Sequence, residues 1–187
     1  MSLLSRLFPA SRAAVAALPY PAGSSEGLAA RWVRWIASFA VGDDPISDPT
    51  GEHAGREQPD DVWFLAGTFG APARRRFTVP ADRPLFGPVV NIWQRAPHEI
   101  LRPESATAYA RLDGTPVDPI EVATPQPFEV IGVRGNAATG RSSPRLLTVW
   151  GHWLQLPGLS AGSHHLAFRG AVDGDFTVDV DLTLDVR

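Results

Sequence analysis

The sequence predicts an all-β domain, a β-sandwich or a partly open β-barrel, with one amphipathic helix packed on it near the N-terminus. Three observations carry this. Many short extended runs are separated by turns rich in 17 Gly and 18 Pro, residues that suit loops and sheet edges. A single segment has helical periodicity. The last segment, "DFTVDVDLTLDV", alternates strictly, with Phe176, Val178, Val180, Leu182, Leu184 and Val186 against Asp175, Thr177, Asp179, Asp181, Thr183 and Asp185, which is the period of a strand with one buried face.

The elements follow in order. Residues 1–22 read as a leader; Pro9, Ser11 and Arg12 break the apolar run a secretory signal needs. Residues 23–187 read as one domain. In "SSEGLAARWVRWIASFAV" the stripe Leu28, Trp32, Trp35, Ile36 and Phe39 predicts a helix over 25–41. Ser24 or Ser25 can cap it, Glu26 suits the first turn, and Gly42 ends it. The two Trp could form a ligand platform, but an apolar stripe argues for core. "VWFLAGTF" (62–69) is apolar on both faces, like a central strand covered twice. Strands are also predicted over 75–79, 87–93 and 127–133, and on either side of the Asp113-Gly114 turn. "RGNAATGRSSPR" (134–145) is a polar loop. "LLTVWGHWLQL" and "HHLAFRG" flank "PGLSAG" and read as a hairpin.

The bulk numbers exclude several classes. The chain has 187 residues and a net charge of −3, so its bulk charge makes no case for nucleic acid or for an anionic membrane. No run approaches the ~20 apolar residues of a membrane span. There is no Cys, so no disulfide and no thiolate nucleophile. The sequence contains no nucleotide-binding or hydrolase fingerprint, and no cofactor is expected.

Three histidines stand near one another in sequence: His152, His164 and His165. Neighbours on a strand point to opposite faces. In a hairpin His152 would lie about 10 Å from the turn at ~3.3 Å per residue, so a shared metal is not expected. His164 suits a structural role at the turn. His152 and His165, with Glu99 and Asp82, are the candidates for acid–base catalysis. Asp175, Asp179, Asp181 and Asp185 form an acidic row, read as a solvated face that resists edge pairing. Alternation splits Arg74 and Arg76 from Arg75; this cluster could pair with the acidic strand, and a surface role is expected.

The order of motifs resembles a family of uncharacterised bacterial proteins, largely actinobacterial and mostly exported. The matching residues are Trp32 and Trp35; Asp48, Thr50 and Gly51; Gln58; Val62 to Gly67; Arg76; Val79 to Ala81; and Pro88 to Asn91. Gly151, Trp153, Leu159, Gly162, His164, Phe168 and Gly170 match its C-terminal segment. The likeness covers most of residues 30–187. The family has no assigned activity, so the resemblance implies a fold more than a function. Its members tend to carry Cys where this chain has Ala54 and Phe77, a pair the resemblance implies to be a disulfide. Losing both suggests a cytoplasmic relative, with export as the alternative. They also tend to carry an acid where this chain has Trp150.

The function expected from all this is a non-catalytic binding domain for a small molecule or a protein. Its ligand would meet loops 134–145 and 43–61, with Arg134, Asn136, Arg141 and Trp150 as candidate contacts. The alternatives are a small-molecule enzyme (cyclase, isomerase or hydrolase) with its site between or at the end of the sheets, and a structural subunit of a homo-oligomer. An enzyme predicts a pocket that gathers at least two of the titratable candidates.

Overall fold

The computed structural model describes residues 16–173 and 176–187. The leader reading for residues 1–15, and Asp175 of the acidic row, lie outside the described residues. The helix is α1 (Ser25–Ala37). The strands are β1 (Trp63–Phe64), β2 (Ala73–Val79), β3 (Leu85–Arg95), β4 (Thr107–Leu112), β5 (Thr115–Val117), β6 (Ile120–Ala123), β7 (Phe128–Val130), β8 (Arg145–Leu156), β9 (Gly162–Val172) and β10 (Phe176–Val186). They form two sheets. One runs β1-β3-β8-β6, with β7 also on β8; the other runs β2-β10-β9-β4-β5. Neither closes, so the fold is a sandwich.

The first sheet is a middle layer. Phe64, Phe86, Leu147, Val149 and Trp153 face α1, where Trp32, Trp35 and Ile36 meet them. Trp63, Leu65, Leu85, Val89 and Leu154 face Leu166, Phe168, Val180 and Leu182 of the second sheet. This double cover explains why 62–66 is buried on both sides. It also corrects the strand predicted there: β1 is a two-residue edge strand, not a central one.

α1 ends at Ala37 rather than at 41. Ser38 closes it, its N–H bonding back to Trp35 and Ile36, and the Val133 N–H takes the Ala37 carbonyl at 2.9 Å. Ser24 caps the start, accepting from the Gly27 N–H at 3.1 Å. Gly27 is required there, because a Cβ would lie 1.9 Å from the Pro21 carbonyl oxygen. Ahead of the helix, Leu18 packs on the helix-side core and the Tyr20 hydroxyl donates to the Gln126 carbonyl at 2.7 Å.

Three further expectations change. β8 and β9 lie in different sheets, so 157–161 is a crossover and not a hairpin turn. Leu159 anchors it in the inter-sheet core, and its carbonyl accepts the Asp82 N–H. β10 is flanked by parallel β2 and antiparallel β9, so its acids guard no edge. They pair across strands instead: Asp185 with Arg76 at 2.8 Å, Asp179 with Arg169 at 2.8 Å, Asp181 with Arg169 at 3.2 Å. Arg74 and Arg76 share this outer face, as alternation requires. Arg75 points inward and is buried, not on the surface. Its guanidinium donates to the carbonyls of Ile46, Asp48, Ala66 and Gly67 at 2.6–3.0 Å.

Candidate functional site: an apolar cavity at the open corner of the sandwich

The two sheets lose their outer strands at the same corner. The last rung between β1 and β3 is the Leu65 N–H to the Phe86 carbonyl, at 2.8 Å. The chain then crosses through Gly67, Thr68 and Phe69 to begin β2. That strand first meets β10 at Val180, so Phe176 to Asp179 have no partner on that side among the described residues. Among the described residues the far half of β3 is equally bare there, since β1 pairs only with Leu85 and Phe86. The Ala96 N–H bonds the Leu146 carbonyl at 3.0 Å. Since hydrogen-bonded pairs alternate along an antiparallel ladder, Ile92 and Gln94 also turn to β8. The main-chain groups of Asn91 and Trp93 therefore face the open edge.

A cavity of about 340 Å³ fills this corner, within the range of small-molecule sites. Trp32 and Ile46 line it from the helix side, Asn91, Ile92 and Trp93 from β3, Thr68 and Phe69 from the crossover, and Val172, Phe176 and Val178 from the second sheet. Among the described residues no charged side chain lines it. Thr68 is 7% exposed. Its Oγ1 and the Asn91 Nδ2 are buried with no hydrogen-bond partner among the described residues. Each such group costs ~1–3 kcal/mol while unpaired, so both are available to hydrogen-bond a molecule that enters the cavity. Phe69 and Phe176 stand half out of the protein at its mouth, 50% and 37% exposed.

None of the candidate catalytic or ligand-contact residues lines this cavity, whereas Trp32, one of the two Trp weighed as a ligand platform, does. His152 is on β8 in the first sheet, half-buried, opposite Glu121 and edge-on to Trp150. His165 lies on the outer face of the second sheet, 3.6 Å from Asp181. Glu99 and Asp82 are exposed in the loops that follow β3 and β2. These four stand on separate elements, and no hydrogen bond or ion pair among the described residues joins two of them. Of the ligand candidates, Asn136 is buried and ties its own loop, donating to the Val133 carbonyl at 2.6 Å and to the Arg141 carbonyl at 3.0 Å. Trp150 is buried and its Nε1 donates to Glu121 at 2.7 Å. Arg134 and Arg141 are exposed.

His164 has a structural place. Its Nδ1 lies 2.7 Å from the Asp113 carboxylate and its Nε2 lies 3.0 Å from the Ser160 carbonyl. The Asp113 hydrogen bond raises the His164 pKa. Asp113 is held low, chiefly by the His165 N–H and then by His164. Among the described residues no three His, Asp or Glu side chains are grouped to hold a metal ion.

Sequence reasoning missed Thr68, Asn91 and Trp93. The usable signal was Asn91, a lone carboxamide inside the otherwise apolar "PVVNIW". Comparison with family models, with curated proteins and with solved structures found no match.

Proposed function

We propose that the protein is a non-catalytic binding domain whose ligand occupies the corner cavity. The observation that carries this reading is an apolar, aromatic-walled space holding two buried and unpartnered polar atoms. The loop at 134–145 is a weaker candidate, because the Asn136 carboxamide is spent on the loop itself. The enzyme reading draws no support from the cavity, which gathers none of His152, His165, Glu99 and Asp82.

The ligand is a small molecule and not nucleic acid. Among the described residues no helix is long and apolar enough to cross a membrane. We place the protein in the cytoplasm, on the two positions where the resembling family carries Cys. Ala54 and Phe77 line one small crevice, and neither position is Cys in this chain.

The test uses Nile red, an uncharged dye that brightens in apolar surroundings. The wild-type protein should bind it saturably. Val178→Phe, which fills the cavity, should weaken binding at least tenfold, and Arg141→Ala should leave it unchanged. Loss of binding in Arg141→Ala with none in Val178→Phe would move the site to the loop.

A further inference from the structure

The chemistry of the cavity wall specifies its ligand more narrowly. We infer that the cavity takes an uncharged aromatic or alicyclic carbonyl compound, with the carbonyl oxygen accepting a hydrogen bond from the Asn91 carboxamide. This inference rests on the binding reading above and adds the ligand's class to it.

Size sets the first limit. About 340 Å³ holds about eleven water-sized groups at ~30 Å³ each, which is enough for a bicyclic skeleton. Shape sets the second. Trp32 and Trp93, with ring centroids 6.1 Å apart, and Phe69 and Phe176 at the mouth offer several flat faces. Flat rings pack on such faces with ~0.5–1.5 kcal/mol per pair beyond burial.

Charge sets the third. A carboxylate or phosphate in this space would lose its hydration and gain no cation, since Arg and His are absent from the lining among the described residues. Hydrogen bonding sets the fourth. The unpartnered atom of Asn91 is Nδ2, a donor, and it seeks an acceptor. The outward-facing N–H groups of Asn91 and Trp93 are further donors on the same strand edge. The Thr68 hydroxyl can donate or accept. A pure hydrocarbon would bury these groups unsatisfied, and a carbonyl oxygen with two lone pairs answers the donor.

Three probes of one skeleton separate the terms: 1-acetylnaphthalene (neutral carbonyl), 1-ethylnaphthalene (hydrocarbon) and 1-naphthoate (carboxylate), each titrated by calorimetry. The ketone should bind about tenfold tighter than the hydrocarbon, and the carboxylate weakest. In Asn91→Leu the hydrocarbon should keep its affinity while the ketone falls to match it; retained hydrocarbon binding also reports that the variant is folded. A readout that needs no variant is the infrared carbonyl stretch of bound 1-acetylnaphthalene, which should lie below its position in hexane. Ketone and hydrocarbon binding equally, the carboxylate binding best, or a stretch at the hexane position would each overturn the inference while leaving the cavity as the site. Failure of all three probes to bind, together with an unaffected Val178→Phe in the dye assay, would overturn the binding reading itself.

Discussion

Two single residues hold the chain beside the cavity in place. Asp48 accepts from the Thr50 N–H and hydroxyl, the Gly51 N–H and the His53 N–H, all at 2.7–2.9 Å. Burial raises its pKa, but these donors outweigh it and bring the carboxyl down to about 2. A depressed acid stabilises the fold above its unfolded value and loses that contribution as pH falls through its folded value. Relative to the ordinary 3.8, the contribution at neutral pH is about 2 kcal/mol. Asp48→Ala should therefore cost about 2–3 kcal/mol in urea denaturation at pH 7, and the gap to wild type should close as pH approaches 2. Arg75 is the buried counterpart. Burial lowers its pKa, and the Asp48 and Asp44 carboxylates oppose that. Its fork satisfies four carbonyls, a geometry that a lysine ammonium does not match. Arg75→Lys should destabilise by about 3 kcal/mol or more, read by the same denaturation. His164 behaves with the opposite sign to Asp48. Its raised pKa contributes stability that is complete below its ordinary 6.5 and is lost as pH rises through the raised value, while the depressed Asp113 contributes above 3.8. The melting-temperature difference between wild type and His164→Ala should thus be largest between these two values and shrink on the alkaline side.

At the scale of elements, periodicity was legible and partnership was not. The alternation of β10 announced its inward face, and Asp113-Gly114 announced the β4–β5 turn, where both residues have positive φ (50° and 80°). The α1 stripe announced its packing. Sequence could not say that β8 and β9 part into different sheets, because a short Gly-Pro segment serves a crossover as well as a hairpin. Nor could it separate an edge strand under a helix from a central strand, since burial on both faces looks alike in either. The helix cover is itself testable. The Trp32 Nε1 donates to the Leu65 carbonyl at 2.7 Å, inside the core. Trp32→Phe keeps only a phenyl ring, leaves a gap in the core and orphans that carbonyl, and should cost about 2 kcal/mol or more in urea denaturation. The crevice shared by Ala54 and Phe77 makes a second test at this scale. Ala54→Cys with Phe77→Cys should close a disulfide in air, seen as loss of both free thiols and a higher melting temperature than the reduced form. Two persistent thiols would show that the positions are not placed to bridge.

At the scale of the whole molecule, the proposed binding function rests on where the sandwich is incomplete. β1 stops after two residues and β2 starts late on β10. That opens one corner between the layers, walled by residues from the helix, both sheets and the crossover. The sequence holds every one of these residues, but a cavity is a property of strands that end early, and strand order sets which ends meet. Asn91 alone carried a local trace of it, as a carboxamide in an apolar strand. The histidines and loop residues that draw the eye in the sequence prove to be dispersed or engaged in holding turns. A binding domain that works as a single chain should melt at a temperature independent of protein concentration, and a structural subunit of an oligomer should not.

The most direct measurement is a two-dimensional nitrogen–proton NMR titration of the labelled protein with 1-acetylnaphthalene. The predicted result is a shift cluster at the Asn91 side-chain amide, the Trp32 and Trp93 indole N–H groups, and the backbone of Thr68 and Val178. His152, His165 and Arg141 should stay unmoved. Shifts centred on the 134–145 loop, or no shifts at saturating probe, would contradict the account.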